Sequence, residues 1–186
     1  MRLFVALNLP VAERKRIYKA SLPFRDRELP VRWLEPEGYH LTLKFLGEIR
    51  QEHVSPISDV LRTVAADNTR FSVEMGGFGA FPTIRRPRVF WLGAEASPAL
   101  RCLKQDVEWR LAELGFERET RAFHPHVTMG RVDQEQGAGV FRGVDEIAAS
   151  LLYTNSVAMK SLDLVRSETR KEGPRYTVLD AFPLRA

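Results

Sequence analysis

Two tetrapeptides far apart in the chain carry side chains able to do chemistry together: His40-Leu41-Thr42-Leu43 and His126-Val127-Thr128-Met129. Both read His, apolar, Thr, apolar. In an extended strand successive side chains alternate between faces, so each motif sends its His and Thr one way and its two apolar residues the other. The apolar pair anchors the strand in a core, and the polar pair faces whatever lies opposite. Two imidazoles that titrate near neutrality can divide a hydrolysis, one taking a proton from water and the other protonating the departing oxygen. The hydroxyls beside them can donate hydrogen bonds to non-bridging phosphate oxygens as charge redistributes. This is equipment for opening a cyclic phosphodiester. Deprotonated water is nucleophile enough that the chemistry demands no metal.

Chance does not readily produce the pair. Thr fills 9 of 186 positions and apolar residues 44% of the chain, so a given His meets the full pattern roughly 1% of the time. Two matches among 4 histidines are then a coincidence of well under about 1%. One copy alone reads as a half-exposed strand with incidental polar residues; two copies, one in each half, do not.

Other residues extend or compete with this reading. Arg131 lies three positions beyond Thr128, on the opposite face unless the strand bends; a phosphate or base contact and a surface salt bridge stand equal for it. Arg85, Arg86 and Arg88, with Phe81 nearby, make a loop whose cations and aromatic ring suit an RNA backbone and a stacked base, against the plain reading of a solvated turn. Phe45 alternates with Leu41 and Leu43 and, like Trp33, reads as core before nucleobase platform. His124-Pro125-His126 is an H-x-H pattern of the kind found in metal hydrolases. A third ligand would have to be His40, His53 or a carboxylate, and no Asp or Glu stands at useful spacing, so neither a metal nor another cofactor is expected. His53 falls on a polar helix face, exposed and inert. Cys102, the one cysteine, excludes an intramolecular disulfide and a Cys-based zinc site, and beside Leu103 it reads as a small buried residue.

The elements that must position the motifs follow from periodicity and punctuation. Phe4 to Leu9 reads as a buried strand ended by Pro10, with a basic helix from Val11 to about Leu22. A short extended piece at Val31–Leu34 and a turn at Glu35-Pro36-Glu37-Gly38 precede the first motif's strand, Tyr39 to Leu46. A helix runs from roughly Glu52 to Ala66. The second half repeats the layout: strands at Phe71–Met75 and Val89–Leu92 around a loop rich in Gly, Pro and Arg, a helix from Pro98 to Leu114 stopped by Gly115, and the second motif's strand from about Pro125 to Val132. A helical stretch near Val144–Ala149 and strands near Met159–Arg166 and Tyr176–Phe182 complete it. No linker or low-complexity segment divides the chain, so one α+β domain over residues 1–186, with two lobes facing each other, is expected.

Composition agrees with that. Charged residues make up 28% of the chain, as in soluble globular proteins. The N-terminal apolar run is too short for a signal h-region with its cleavage site, and no stretch approaches the ~20 apolar residues of a membrane span. A cytoplasmic protein without a membrane partner is the expectation. The net charge of +4 and pI of about 9.5 lean mildly toward a polyanionic partner.

At these residues the chain resembles a known family. Val31-Arg32-Trp33 with Tyr39-His40-Leu41-Thr42-Leu43-Lys44-Phe45-Leu46-Gly47-Glu48 is similar to the first motif of the bacterial and archaeal RNA 2′,3′-cyclic phosphodiesterases, long called 2′-5′ RNA ligases, of the two-histidine (2H) phosphoesterase superfamily. Phe123-His124-Pro125-His126-Val127-Thr128-Met129-Gly130-Arg131 resembles their second motif. Gly79-Ala80-Phe81-Pro82, Arg86-Pro87-Arg88-Val89 and Gly173-Pro174-Arg175-Tyr176-Thr177-Val178-Leu179 resemble weaker family stretches in matching order, so the likeness spans essentially the whole chain. Met129 stands where the family usually has an aliphatic residue. The segment between Arg131 and Leu152 is shorter than usual, which leaves the helix there open.

The resemblance implies a bilobal, pseudo-twofold fold: two antiparallel sheets flanked by helices around a central cleft lined by both motifs. It implies RNA or nucleotides with 2′,3′-cyclic phosphate ends as substrate and a 2′-phosphate as product; nothing in the sequence speaks to oligomeric state, and a monomer is the expectation. His126 would activate water and His40 protonate the 3′ oxygen, with Thr42 and Thr128 holding the phosphate; the pseudo-symmetry leaves the reverse assignment chemically open. Arg131 matches the family's basic residue, and Phe45, Phe81 and Arg86 are further candidate substrate contacts. Two other functions compete. One is 2′-5′ RNA ligation, the reverse reaction, against which water at ~55 M weighs; the other is a non-catalytic RNA-binding module, which would not need the histidines.

Overall fold

The chain's first strand, β1 (Arg2–Asn8), has five consecutive buried residues, Leu3 to Leu7, because it lies between two other strands and is covered on both faces. The computed structural model describes residues 1–133, 136–137 and 139–186. After β1 come α1 (Val11–Ala20), α2 (Leu22–Arg25), β2 (Val31–Trp33), β3 (His40–Glu48), α3 (Val54–Asp67), β4 (Phe71–Pro82), β5 (Pro87–Ala94), α4 (Pro98–Ala112), β6 (His126–Val132), α5 (Val144–Ser150), β7 (Thr154–Met159), β8 (Ser161–Arg170) and β9 (Gly173–Pro183). None of these helices is long and apolar enough to cross a membrane.

The strands form an antiparallel sheet in the order β7-β4-β5-β6-β3-β1-β8-β9, with β2 beside β6. The two motif strands, β3 and β6, stand side by side at its middle, with three strands beyond each. β3-β1-β8-β9 forms one half and β6-β5-β4-β7 the other. The two sheets implied by the family resemblance are therefore present as two halves, but they join at one ladder pair, Leu41 with Val127, into a continuous sheet. One large core takes Leu3, Val5 and Leu7 of β1, Phe90 and Leu92 of β5, and residues of α1, α3 and α4 such as Ile17, Leu61 and Leu103. A smaller cluster of Phe4, Ala6 and Val165, with Tyr176 against it, occupies the other, open face.

Each motif strand breaks its alternation at the same position. In β3, Ala6 pairs with Thr42 and Val5 with Lys44, so Leu43 is an extra residue. In β6, Trp91 pairs with Thr128 and Phe90 with Gly130, so Met129 is extra. These are β-bulges, which turn two successive side chains to one side and reverse the faces beyond. Leu43 and Lys44 both go inward, as do Met129 and Gly130.

Several expectations need correcting. β4 continues through Gly76-Gly77-Phe78-Gly79-Ala80-Phe81-Pro82, where a loop was expected. Its glycines serve the sheet: Gly77 takes φ +79° at an irregularity in the ladder, and a Cβ on Gly79 would meet the Trp91 indole at 2.5 Å. The strand β7 was not expected; it is a short edge strand with only Val157 and Met159 buried. Cys102 is exposed on α4, not buried, because the helix turns Leu100, Leu103 and Val107 to the core. The helix after the second motif does form, as α5.

Candidate active site

Leu41 and Val127 are both fully buried, and their pairing places the two motifs. In an antiparallel ladder the positions flanking a pair stand opposite one another, so His40 lies across from Thr128 and Thr42 across from His126. All four side chains are half-buried and share the open face where the half-sheets meet.

Each ring is oriented by the carbonyl two residues before it. His126 Nδ1 lies 2.7 Å from the His124 carbonyl oxygen; as an N–H it donates there, which leaves Nε2 with a free lone pair. The Gly38 carbonyl does the same for His40. Phe4 packs 4.7 Å and Tyr176 4.9 Å from the His40 ring, while Phe81 stands edge-on 5.0 Å from His126. Burial among these rings pushes His40 down to about 4, against the Gly38 carbonyl, and the positive charges of Arg131 and His126 add to the fall. Burial lowers His126 as well, opposed by the His124 carbonyl and reinforced by His124 and Arg131. Both imidazoles are therefore biased toward the neutral form.

The bulges explain the two residues whose faces alternation misassigned. Arg131 is turned back to the side of His126 and Thr128, where its charge is felt by both histidines and by Tyr176. Phe45 leaves the core, is 67% exposed, and approaches Phe4 at 6.0 Å. Paired through the two motifs, Phe45 and Arg131 hold equivalent positions. Trp33 does pack with the core, against Phe24 and Phe90.

The remaining candidates separate. Phe81 joins the site beside His126. Arg86 stays in the exposed turn between β4 and β5, where its N–H bonds Thr83 Oγ1 at 3.2 Å, and Arg85 there pairs with Asp145 at 3.6 Å. His124 packs against Phe81 and Trp91 at 5.1 and 5.4 Å. His53 lies exposed beside Glu52. Among the described residues, no three His, Cys, Asp or Glu side chains gather as a metal site. Sequence reasoning did not single out Phe4, Trp91 or Tyr176, which come from other strands. Only the weak family likeness around Tyr176 pointed to any of them.

Comparisons with known proteins agree with this architecture. The profile of the family described as LigT like phosphoesterase matches residues 8–91. The RNA 2′,3′-cyclic phosphodiesterase of Geobacillus stearothermophilus is 35% identical, over 97% of this chain and 56% of its own length. That of Aeropyrum pernix is 33% identical over 81% of this chain and 85% of its own. The crystal structure of E. coli LigT complexed with 3′-AMP superposes with a TM-score of 0.75 at 26% identity, covering 98% of this chain and 97% of that one. With this likeness across both halves, the chain belongs to the LigT-like phosphoesterase family.

Proposed function

We propose that this protein hydrolyses RNA 2′,3′-cyclic phosphate ends to 2′-phosphates, using His40 and His126 as its proton-transfer pair. The observation that carries the reading is the pairing of Leu41 with Val127, which brings the two His–Thr pairs to neighbouring strands on one face. The names of the relatives, and the 3′-AMP bound by the E. coli protein, support a nucleotide phosphate there.

Each step has a group suited to it. Nε2 of His126, left as acceptor by the bond to His124, takes the proton from the attacking water. His40 delivers a proton to the departing 3′ oxygen. Its low affinity for protons in the unliganded site is overcome by the phosphate itself, whose negative charge stabilises an imidazolium beside it. Thr42 and Thr128 donate to the non-bridging oxygens, and the Arg131 guanidinium offsets the charge that develops on them. One domain over residues 1–186 performs this, since neither half holds both motifs.

The test is product analysis after incubating an oligonucleotide ending in a 2′,3′-cyclic phosphate with EDTA-treated protein. A 2′-phosphate end is expected. A 3′-phosphate end, or turnover abolished by the chelator and restored by metal, overturns the mechanism. Unchanged oligonucleotide that still binds the protein indicates a binding module instead.

A further inference from the structure

The bulge at Leu43 runs against the preference of its own strand. Without it, alternation would carry Lys44 after His40 and Thr42 onto the open face, and Phe45 after Leu41 and Leu43 into the core. That register hides a phenylalanine and leaves an ammonium in water, both favoured by transfer free energy. The observed register does the opposite, with Lys44 7% exposed and Phe45 67% exposed. Something outside the strand selects it.

The selecting group lies on α4. Glu108, itself 6% exposed, accepts from Lys44 Nζ at 2.6 Å and from Lys104 Nζ at 2.5 Å. Lys104 continues to the carbonyl of Leu43, the bulged residue, at 2.6 Å. Lys44 also donates to the Glu117 carbonyl at 2.6 Å, and the Glu119 N–H donates to Glu108 at 3.0 Å. Glu117 and Glu119 belong to the segment that leads from α4 into the second motif. In the other half the equivalent bulge needs no charges. The Met129 carbonyl accepts from the Leu34 N–H at 2.8 Å, and Gly130, in the place of Lys44, has no side chain to bury.

We infer that Glu108 is a positioning residue: by pairing Lys44 inside the core it selects the bulged register of β3 and so holds Phe45, just beyond Thr42, on the face where the two motifs meet. The consequence for turnover rests on the function proposed above; the register itself does not.

The reporter is Phe45→Cys in a Cys102→Ala background, which leaves a single thiol. Its rate of maleimide labelling reads the face on which position 45 lies. With Glu108 present, labelling is fast. Glu108→Leu leaves the Lys44 ammonium buried with only the Glu117 carbonyl and no counter-charge, so the strand reverts to plain alternation and labelling slows at least tenfold. A cysteine seeks the core less than phenylalanine does, so this understates the change. Adding Lys44→Met gives position 44 its own reason to stay inside, and Lys44→Met/Glu108→Leu recovers fast labelling. With Phe45 retained, cyclic phosphate turnover follows the same order: kcat/KM falls at least tenfold in Glu108→Leu and largely recovers in the double variant.

Equal labelling in Glu108→Leu and its parent overturns the inference. So does a double variant as slow to label as Glu108→Leu. If Glu108→Leu does not fold, the double variant decides: folded with a reactive position 45 supports the inference, while unfolded or protected overturns it. If labelling follows the expected order but the unsubstituted protein opens no cyclic phosphate, the register inference stands and the proposed function falls.

Discussion

Leu41 of β3 and Val127 of β6 pair across the centre of the sheet, and each is the second residue of its motif. A pair of equivalent residues at the junction means that the pseudo-symmetry of the halves passes through the site. Either histidine alone then faces the other motif's threonine, with no second imidazole to complete a proton relay.

Removing either ring should therefore stop turnover without unfolding the protein. His40→Ala and His126→Ala are each expected to lower kcat/KM by about 10²–10⁴-fold, the usual contribution of a positioned acid or base. The check is steady-state kinetics on a cyclic-phosphate-ended oligonucleotide, with thermal melts as a folding control. Turnover within a few-fold of the parent removes that histidine from the mechanism.

The pH profile of kcat/KM reports the free protein, in which the competent form has one imidazole protonated and the other neutral. His40 is the more depressed, so a single proton rests mostly on His126; the productive form, with His40 protonated and His126 neutral, is a fixed fraction of the singly protonated protein. It therefore also peaks between the two pKa values, one depressed to about 4 and the other below its ordinary 6.5. The optimum should accordingly lie on the acid side of 6.5. Arg131→Met withdraws a cation that lowers both values, so both limbs should move to higher pH. Histidine ring proton titrations by NMR give an independent reading. A profile unmoved by the substitution would place Arg131 away from the site.

The same depression has a sign for stability. An unfolded histidine binds its proton near 6.5 and folded His40 only near 4, so between these limits the unfolded chain holds more protons. Acid then favours unfolding. The stability associated with neutral His40 is complete above the upper limit and is lost as pH falls toward the lower one. Urea midpoints should drop over this window, and the drop should be shallower in His40→Asn. Parallel slopes for the two proteins contradict a buried, neutral His40.

How much of this was legible beforehand depends on the range of the interactions involved. The two motifs, and Leu41 and Val127 as their anchors, were readable because strand alternation is local. So were α3, whose apolar residues recur at helical spacing, β1, a continuous apolar run, and α1 and α4, marked by Pro10 at the start of one and Gly115 at the end of the other. The faces of Lys44, Phe45 and Arg131 were not, since the bulges depend on Lys104 and Leu34, which lie far from the bulged residues in sequence. The glycine-rich end of β4 looked like a loop because its reason to be a strand is the Trp91 ring lying over Gly79. β7 offered too few apolar residues to stand out. Phe4 looked like plain core, and only the folded sheet brings it and Tyr176 against His40.

The second bulge provides the last prediction. Gly130 stands where a Cβ would meet Trp33 Cε3 at 2.6 Å and Val31 Cγ1 at 2.8 Å, and both neighbours belong to β2, which pairs along β6 at this point. The Trp33 ring is held by Phe24 and Phe90, so it cannot swing aside cheaply and β2 itself must retreat. Gly130→Ala is expected to cost about 1–3 kcal/mol, the usual range for overpacking, seen as a lower melting temperature. Because the Leu34 N–H that caps the Met129 carbonyl follows directly on β2, the bulge should loosen with it. Arg131 then shifts, and kcat/KM falls beyond what the loss of stability explains. Gly137→Ala is the control, since among the described residues a Cβ there meets nothing within 4 Å and should leave both readouts unchanged. A Gly130→Ala protein as stable and as active as the parent would show that β2 yields freely and that the second bulge does not depend on it.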